Sequence, residues 1–380
     1  MRPDRDLRWL PWLFGGLWLG LTMLCSLFLL ALLGIIVTFN AFLFWEFSDS
    51  DLLLQQPAEP TAGMVAAAPA AVRLSPTVIP LPTPPSIPSD PTPIPHLMTD
   101  YTIEGLRGRS YPGGTIQIRR LLTATTVFTS YYIHYPSDGL TITGVMQVPR
   151  GEGPFPVIIL NHGYIARHQY WPGADTWRAA AFLNRRGYLT IAPDFRSWGD
   201  SDTGNSFFRT GQVIDTLNLV SSLPSLAQAD TGRVGMWGHS MGGGVTTKAI
   251  TVDPRIKAAV LYAPLSAYDS EVLARWGPGC VPARGPQLAE ACSGEEILVN
   301  NIDQNLYLAY ADALYNPLLL YEISPINHFE AVTAPVQIHI GEADTVTPPE
   351  WSTAIYDTLR AAGKPVELYT YPDQGHALQG

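Results

Sequence analysis

The chain has 380 residues, of which 46% are hydrophobic, and its formal net charge is −10. Its basic residues form no cluster, whereas phosphate backbones are bound through clustered Lys and Arg, so a nucleic-acid partner is excluded. Because much of the first quarter is unsuited to a soluble core, we expect one large domain in the remainder.

The N-terminal segment is predicted to cross a membrane. No residue from Trp9 to Trp45 is formally charged, and this run exceeds the roughly 20 apolar residues that span a bilayer. Positive charges precede the run (Arg2, Arg5 and Arg8), whereas no Lys or Arg follows it before Arg73. Because cytoplasmic flanks carry the positive charge, we expect a cytoplasmic N-terminus at 1–8, a single-pass anchor with an interfacial segment at 9–47, and an extracytoplasmic remainder on the cytoplasmic membrane.

A cleaved signal peptide and a lipoprotein anchor are the two alternative interpretations of this segment. A cleaved signal peptide has an apolar region of about 7–15 residues, but here the apolar character continues to Phe47. A lipoprotein would be lipidated at Cys25, but Leu24 is bulky where a small residue is required. The uncleaved anchor is therefore favoured.

Residues 48–98 are predicted to be a disordered linker. A dozen prolines fall between Pro57 and Pro95 among Ala, Thr and Ser, a composition that favours extended polyproline II and cannot bury a core. At about 3.1 Å per residue, the linker could extend up to about 100 Å. A Pro-rich ligand for a partner domain is the alternative interpretation.

Residues 99–380 are predicted to form an α/β domain. The segments "TSYYIHYP" and "LTITGVMQVP" flank the turn "SDG" and predict antiparallel N-terminal strands. Short apolar runs then alternate with helical stretches, which predicts a mostly parallel, doubly wound sheet. The predicted strands are "PVIILNHG", "YLTIAPDF", "RVGMWGHS", "IKAAVLYAP", "PVQIHIGEAD" and "VELYTYPDQGH".

A nucleophile is predicted at Ser240. Gly238-His239-Ser240-Met241-Gly242 follows the strand "RVGMW" and precedes a helical stretch from Gly243 towards Val252. G-x-S-x-G is a weak signal alone, but between a strand and a helix it indicates a nucleophile elbow, with the serine hydroxyl exposed above the sheet. The alternative is a Gly-rich turn with an incidental Ser.

A serine nucleophile requires a base and an orienting carboxylate. Asp344 and His376 follow the last two predicted strands, which gives the order Ser, Asp, His of α/β-hydrolases. The competing acids are Glu342 and Asp373, and the competing bases are His328 and His339. We predict that His339 is a packed strand residue and that His328 is a surface or capping residue.

Backbone N–H groups are expected to stabilise the oxyanion. Met241 N–H follows the nucleophile directly, and the second donor is predicted to be Tyr164 N–H, in the loop after "PVIIL". His162 lies in the same loop, where we expect it to shape the backbone rather than to act in catalysis.

Cys280 and Cys292 are the two cysteines outside the anchor, and a disulfide between them is favoured over two unpaired thiols. No CxxC or His-rich pattern is present, so no metal or other cofactor is predicted.

Taken together, "NHGY", "APDFRSWGDSD", "GHSMGGG", "LYAPLSAY" and "YPDQGH" resemble the catalytic domain of the prolyl oligopeptidase family and its dienelactone-hydrolase and acetyl-esterase relatives. The resemblance implies an α/β-hydrolase fold and an acyl-enzyme on Ser240. It also implies that the turn containing Asp194 and Arg196 is mainly structural. Where prolyl oligopeptidases carry a β-propeller, this sequence has the predicted anchor and linker, and we expect the residues at about 265–324 to form a cap insertion over the site.

The sequence therefore predicts a membrane-anchored serine hydrolase acting on small ester or peptide substrates. Esterase and peptidase activities remain open, because the propeller and the acidic pair that exopeptidase members use to hold a substrate amine are not found. An acyltransferase with the same triad and a catalytically silent binding module are the alternatives.

Overall fold

The structure is a computed structural model that describes residues 92–276, 305–306, 309–310 and 315–378. The predicted anchor at 9–47, most of the linker, and both Cys280 and Cys292 lie outside these residues. Within the described part of the chain, no helix combines the length and apolar character needed to cross a bilayer.

Nine strands form one sheet with the order β1-β2-β3-β5-β4-β6-β7-β8-β9. The first three strands and β5 pair antiparallel, and all pairs from β5 through β4 to β9 are parallel. The strands are β1 Gln117–Ala124, β2 Phe128–Ser137, β3 Leu140–Pro149, β4 Phe155–Asn161, β5 Leu189–Pro193, β6 Ala229–His239, β7 Ile256–Tyr262, β8 Val336–Gly341 and β9 Val366–Tyr371.

Seven α-helices are found among the described residues: α1 Ile103–Gly108, α2 Trp177–Asn184, α3 Thr210–Ser222, α4 Met241–Val252, α5 Asp269–Trp276, α6 Pro317–Ile323 and α7 Pro349–Ala361. Strands β4, β5, β6 and β7 are rich in buried Val, Ile, Leu and Met. Such residues are typical of a parallel sheet that is covered on both faces. The prediction of a mostly parallel, doubly wound α/β sheet is confirmed.

The N-terminal hairpin is also confirmed, since β2 and β3 pair antiparallel around a turn in which Asp138 and Gly139 both have positive φ. Strand β1 was not predicted. Every residue of β1 is exposed, so its sequence lacks the alternation of apolar and polar residues that marks a half-buried strand.

Two buried clusters of charge stabilise the helices on which the site depends. Arg196, after β5, forms a bidentate ion pair with Asp215 of α3, whose side chain is completely buried. Lys248 of α4 lies 3.1 Å from Asp269 of α5, which also pairs with Arg209. Buried charges are tolerated only when paired, so both clusters fix the positions of their helices.

Two hydrogen bonds join the beginning and the end of the segment between β7 and β8. The N–H group of Asp269 donates to Ser324 Oγ at 2.9 Å, and the N–H group of Ile326 donates to the Ala267 carbonyl oxygen at 3.4 Å. Helices α5 and α6 flank the part of this segment that lies outside the described residues.

Candidate active site

Ser240 lies at a sharp turn between β6 and α4, as predicted. Its backbone adopts φ 52° and ψ −116°, a strained conformation for a residue with a side chain. The turn is held by hydrogen bonds from Ser240 N–H to the Tyr262 carbonyl (3.0 Å) and from Leu265 N–H to the Ser240 carbonyl (3.2 Å).

The exposure of the Ser240 hydroxyl stays a prediction, and the residue as a whole is 8% exposed. The loop after β4 covers it: a Cβ atom placed on Gly163 would lie 3.3 Å from Ser240 Cβ. The nucleophile therefore lies in a buried position, where electrostatic interactions are weakly screened.

Gly242 lies two positions after Ser240, where the surrounding backbone leaves no room for a side chain. A Cβ atom at this position would lie 2.0 Å from the Asn161 carbonyl oxygen and 2.6 Å from the His162 carbonyl oxygen. The first turn of α4 thus packs directly on the backbone at the end of β4, which brings the loop of Gly163 and Tyr164 to the nucleophile.

Asp344 and His376 are brought together at the ends of β8 and β9. His376 Nδ1 lies 2.8 Å from Asp344 Oδ2, and the two loops are joined by a hydrogen bond from Ala343 N–H to the Gln374 carbonyl (2.9 Å). Thr347 donates both its N–H and its hydroxyl to Asp344. Burial alone would raise the pKa of Asp344, but the hydrogen bonds from His376 and Thr347 outweigh burial and lower this pKa.

The competing acids and bases have other surroundings. Glu342 and Asp373 are exposed to solvent, whereas the Asp344 side chain is completely buried. His339 packs in β8, with its ring stacked at 5.0 Å on the ring of Tyr369. The placement of His328 at the surface is wrong: it is 8% exposed, because the 3₁₀ turn Pro325–Ala331 packs against the core.

The two predicted oxyanion donors belong to segments that adjoin Ser240, the start of α4 and the loop of Gly163. Met241 begins α4, so its N–H group is one of those that have no partner within the helix. Tyr164 follows Gly163 in the loop after β4. His162 is buried and fixed in this loop, with Nδ1 2.7 Å from the Gly163 carbonyl oxygen and Nε2 3.2 Å from the Asp194 carbonyl oxygen. Burial lowers the pKa of His162.

Sequence reasoning missed Asp175 and His239. His239 Nδ1 lies 2.8 Å from Asp175 Oδ2, and Gly163 N–H donates to the same oxygen at 2.7 Å. His239 lies inside the G-x-S-x-G motif, so the sequence already indicated that it lies close to the site. Asp175 comes from the long loop between β4 and α2, and no spacing or strand end marked it.

The arrangement has the parts that acyl transfer requires. A strained serine stands at a helix start, a carboxylate is in hydrogen-bond contact with one nitrogen of an imidazole, and the first N–H group of α4 follows the serine directly. Among the described residues, no group of three or more His, Cys, Asp or Glu side chains is arranged to hold a metal ion.

Comparisons with known proteins identify the family and the fold of the chain. Residues 157–380 match the alpha/beta hydrolase family. The uncharacterized 31.7 kDa protein in the traX-finO intergenic region of Escherichia coli is 28% identical over 271 residues, which cover 64% of this chain and 90% of that protein. The bis(hydroxyethyl) terephthalate hydrolase of Streptomyces coelicolor is 25% identical over 215 residues, or 56% of this chain and 62% of that protein.

Acetyl xylan esterase 1 from Thermoanaerobacterium sp. JW/SL YS485 is a similar solved structure, with a TM-score of 0.51 and 19% sequence identity. The match covers 75% of this chain and 90% of the esterase. At this identity the likeness shows the fold alone, and it confirms the fold that the sequence motifs predicted.

Proposed function

This chain belongs to the alpha/beta hydrolase family, and on that premise we propose that it is a serine hydrolase that cleaves carboxylic esters in preference to peptide bonds. We further propose that residues 9–47 anchor it in the cytoplasmic membrane with the catalytic domain outside. The anchor proposal stands on the sequence: the uncharged run and the arginines before it.

One observation carries the catalytic proposal. Ser240 occupies a strained turn between a parallel strand and a helix, while the ends of β8 and β9 present Asp344 and His376 in hydrogen-bond contact at 2.8 Å. Ion-paired Asp and His residues are common in proteins, but a Ser at φ 52° costs about 1–3 kcal/mol and persists where surrounding structure holds it. That cost supports a reactive role for Ser240.

The mechanism follows from the contacts of His376. His376 Nδ1 is in hydrogen-bond contact with Asp344. Nε2 of the same ring is therefore left to accept the Ser240 hydroxyl proton as Oγ attacks the ester carbonyl. The N–H groups of Met241 and Tyr164 donate to the carbonyl oxygen as it becomes negative. His376 then gives its proton to the departing alkoxide, and the alcohol leaves an acyl group on Oγ. A water molecule, deprotonated by His376, hydrolyses this acyl-enzyme and restores the serine.

The preference for esters has two sources of support. The relative from Streptomyces coelicolor is named for hydrolysis of bis(hydroxyethyl) terephthalate, which is an ester. The second is the insertion at 265–324, which we propose to be a cap over the site. The two aromatic residues Trp276 and Trp351, with ring centroids 5.6 Å apart, lie where α5 approaches the loop of Asp344, which suits an apolar acyl group.

A fluorophosphonate probe tests the catalytic proposal. The wild-type chain should be labelled, and Ser240→Ala should not, whereas Ser266→Ala should be labelled like the wild type. The exported domain should then hydrolyse short p-nitrophenyl esters faster than prolyl or alanyl peptide amides. Equal labelling of Ser240→Ala would exclude the nucleophile, and cleavage of peptides without esters would reverse the substrate preference.

Protease accessibility tests the anchor proposal. In intact cells, an externally added protease should release the domain from 99–380, and the 1–8 segment should remain protected. Protection of the domain until the membrane is permeabilised would contradict the orientation.

A further inference from the structure

Asp175 makes three contacts that connect separate parts of the site. Its Oδ2 accepts a hydrogen bond from Gly163 N–H at 2.7 Å, and His239 Nδ1 lies 2.8 Å from Oδ2 and 3.0 Å from Oδ1. Gly163 precedes Tyr164 in the oxyanion loop, and His239 precedes Ser240 in the elbow. One carboxylate therefore joins the two segments that must meet around a bound ester.

His239 extends this connection to the base. Its Nε2 lies 3.3 Å from the backbone carbonyl oxygen of His376, and the centroids of the two imidazole rings are 4.9 Å apart. Both ring nitrogens thus face acceptors. The ring can donate to both only when each nitrogen carries a proton, since a neutral imidazole has a single N–H.

The surroundings of Asp175 favour its charged form. Burial raises the pKa of Asp175, but the hydrogen bond and charge of His239 and the N–H group of Gly163 outweigh it, so the pKa is lowered. The Asp175 side chain retains 23% exposure and that of His239 retains 12%, because both line an open cavity of about 780 Å³.

We propose that Asp175 and His239 are positioning residues that hold the oxyanion loop and the His376 loop in register with Ser240. This inference rests on the proposed function. The pair acts through other groups: Asp175 sets the direction of the loop that presents Tyr164 N–H, and His239 fixes the backbone of the base. Displacement of catalytic groups by about 1 Å is enough to reduce a rate roughly 100-fold.

Asp175→Asn is the primary test variant, because an amide removes the charge and replaces one of the two oxygens that face His239 Nδ1 with an N–H donor. Asp253→Asn is a matched control. Asp253 is also a buried carboxylate that accepts from a backbone N–H and a cationic side chain, both of Arg255, but it lies at the far end of α4. His239→Gln and Asp175→Glu complete the set.

With p-nitrophenyl acetate, we expect Asp175→Asn and His239→Gln to reduce kcat about 10- to 100-fold while KM changes less than about threefold. Asp175→Glu should recover part of the lost kcat, and Asp253→Asn should retain wild-type kcat.

Wild-type kcat in both Asp175→Asn and His239→Gln would overturn the inference. A fall in kcat matched by a similar fall in Asp253→Asn would assign the effect to general stability and would also overturn it. Failure of the proposed function itself is distinguishable: the wild-type chain would then neither hydrolyse the ester nor react with the fluorophosphonate.

Discussion

Asp194 provides a test of how burial sets the pH dependence of stability. This carboxylate is completely buried at the end of β5, where it accepts hydrogen bonds from Thr143 Oγ1 and Tyr170 Oη. Burial raises the pKa of Asp194 to about 6, and the two hydroxyl donors offset only part of that effect. We predict that Asp194→Asn removes a pH-dependent loss of stability.

The direction in which stability changes with pH follows from the number of protons that the folded and unfolded states bind. Because the pKa of Asp194 is higher in the folded state than in the unfolded state, the native protein holds the proton longer as pH rises. The stabilising contribution is complete below about pH 4 and is lost as pH passes about 6. The total loss is about 3 kcal/mol, of which about 1.5 kcal/mol falls between pH 5 and pH 8.

Urea unfolding followed by tryptophan fluorescence at pH 5 and pH 8 measures this difference. Relative to wild type, the unfolding free energy of Asp194→Asn should rise by about 1.5 kcal/mol between the two pH values. Asp230→Asn is the control, since the hydrogen bond from Arg233 lowers the pKa of Asp230 and keeps it ionised throughout this range. Identical pH dependence in wild type and Asp194→Asn would refute the reasoning.

Three further predictions concern the site and its support. Asp344→Asn should lower kcat on p-nitrophenyl acetate about 10³- to 10⁴-fold with little change in KM, because His376 loses its orienting acceptor; a loss below tenfold would contradict this role. Gly242→Ala should lower the thermal midpoint by several degrees, because its Cβ would lie 2.0 Å from a carbonyl oxygen; an unchanged midpoint would show that α4 can shift. Asp215→Ala should cost about 3–5 kcal/mol in urea unfolding by leaving the Arg196 charge buried without its partner, and a loss below about 1 kcal/mol would argue against that.

Most of the sheet could be predicted from the sequence because parallel strands carry a local signal. Strands β4 to β7 contain short apolar runs, and β8 and β9 alternate apolar with more polar residues, so local patterns predict all six strands. The exposed edge strand β1 lacks that signal, because its residues contact solvent on both faces. Its pairing with β2 depends on contacts that no local pattern records.

The residues of the site likewise differ in whether a local sequence pattern marks them. Ser240, Asp344 and His376 follow strand ends, so topology alone predicts that they meet at one edge of the sheet. Asp175 follows no strand, and its partners His239 and Gly163 become visible only in three dimensions. The buried position of Ser240 was likewise unpredictable, since it depends on how closely the loop of Gly163 packs.

The hydrogen bonds that join Asp269 to Ser324 and Ile326 to Ala267 have an evolutionary consequence. They fix the separation between the two ends of the 265–324 segment independently of what lies between them. Doubling the length of such a loop adds only about 0.6 kcal/mol of closure entropy. Changes in chain length between α5 and α6 should therefore cost the sheet and the Ser240 turn little, so this is where the size of the domain can vary most freely among lineages.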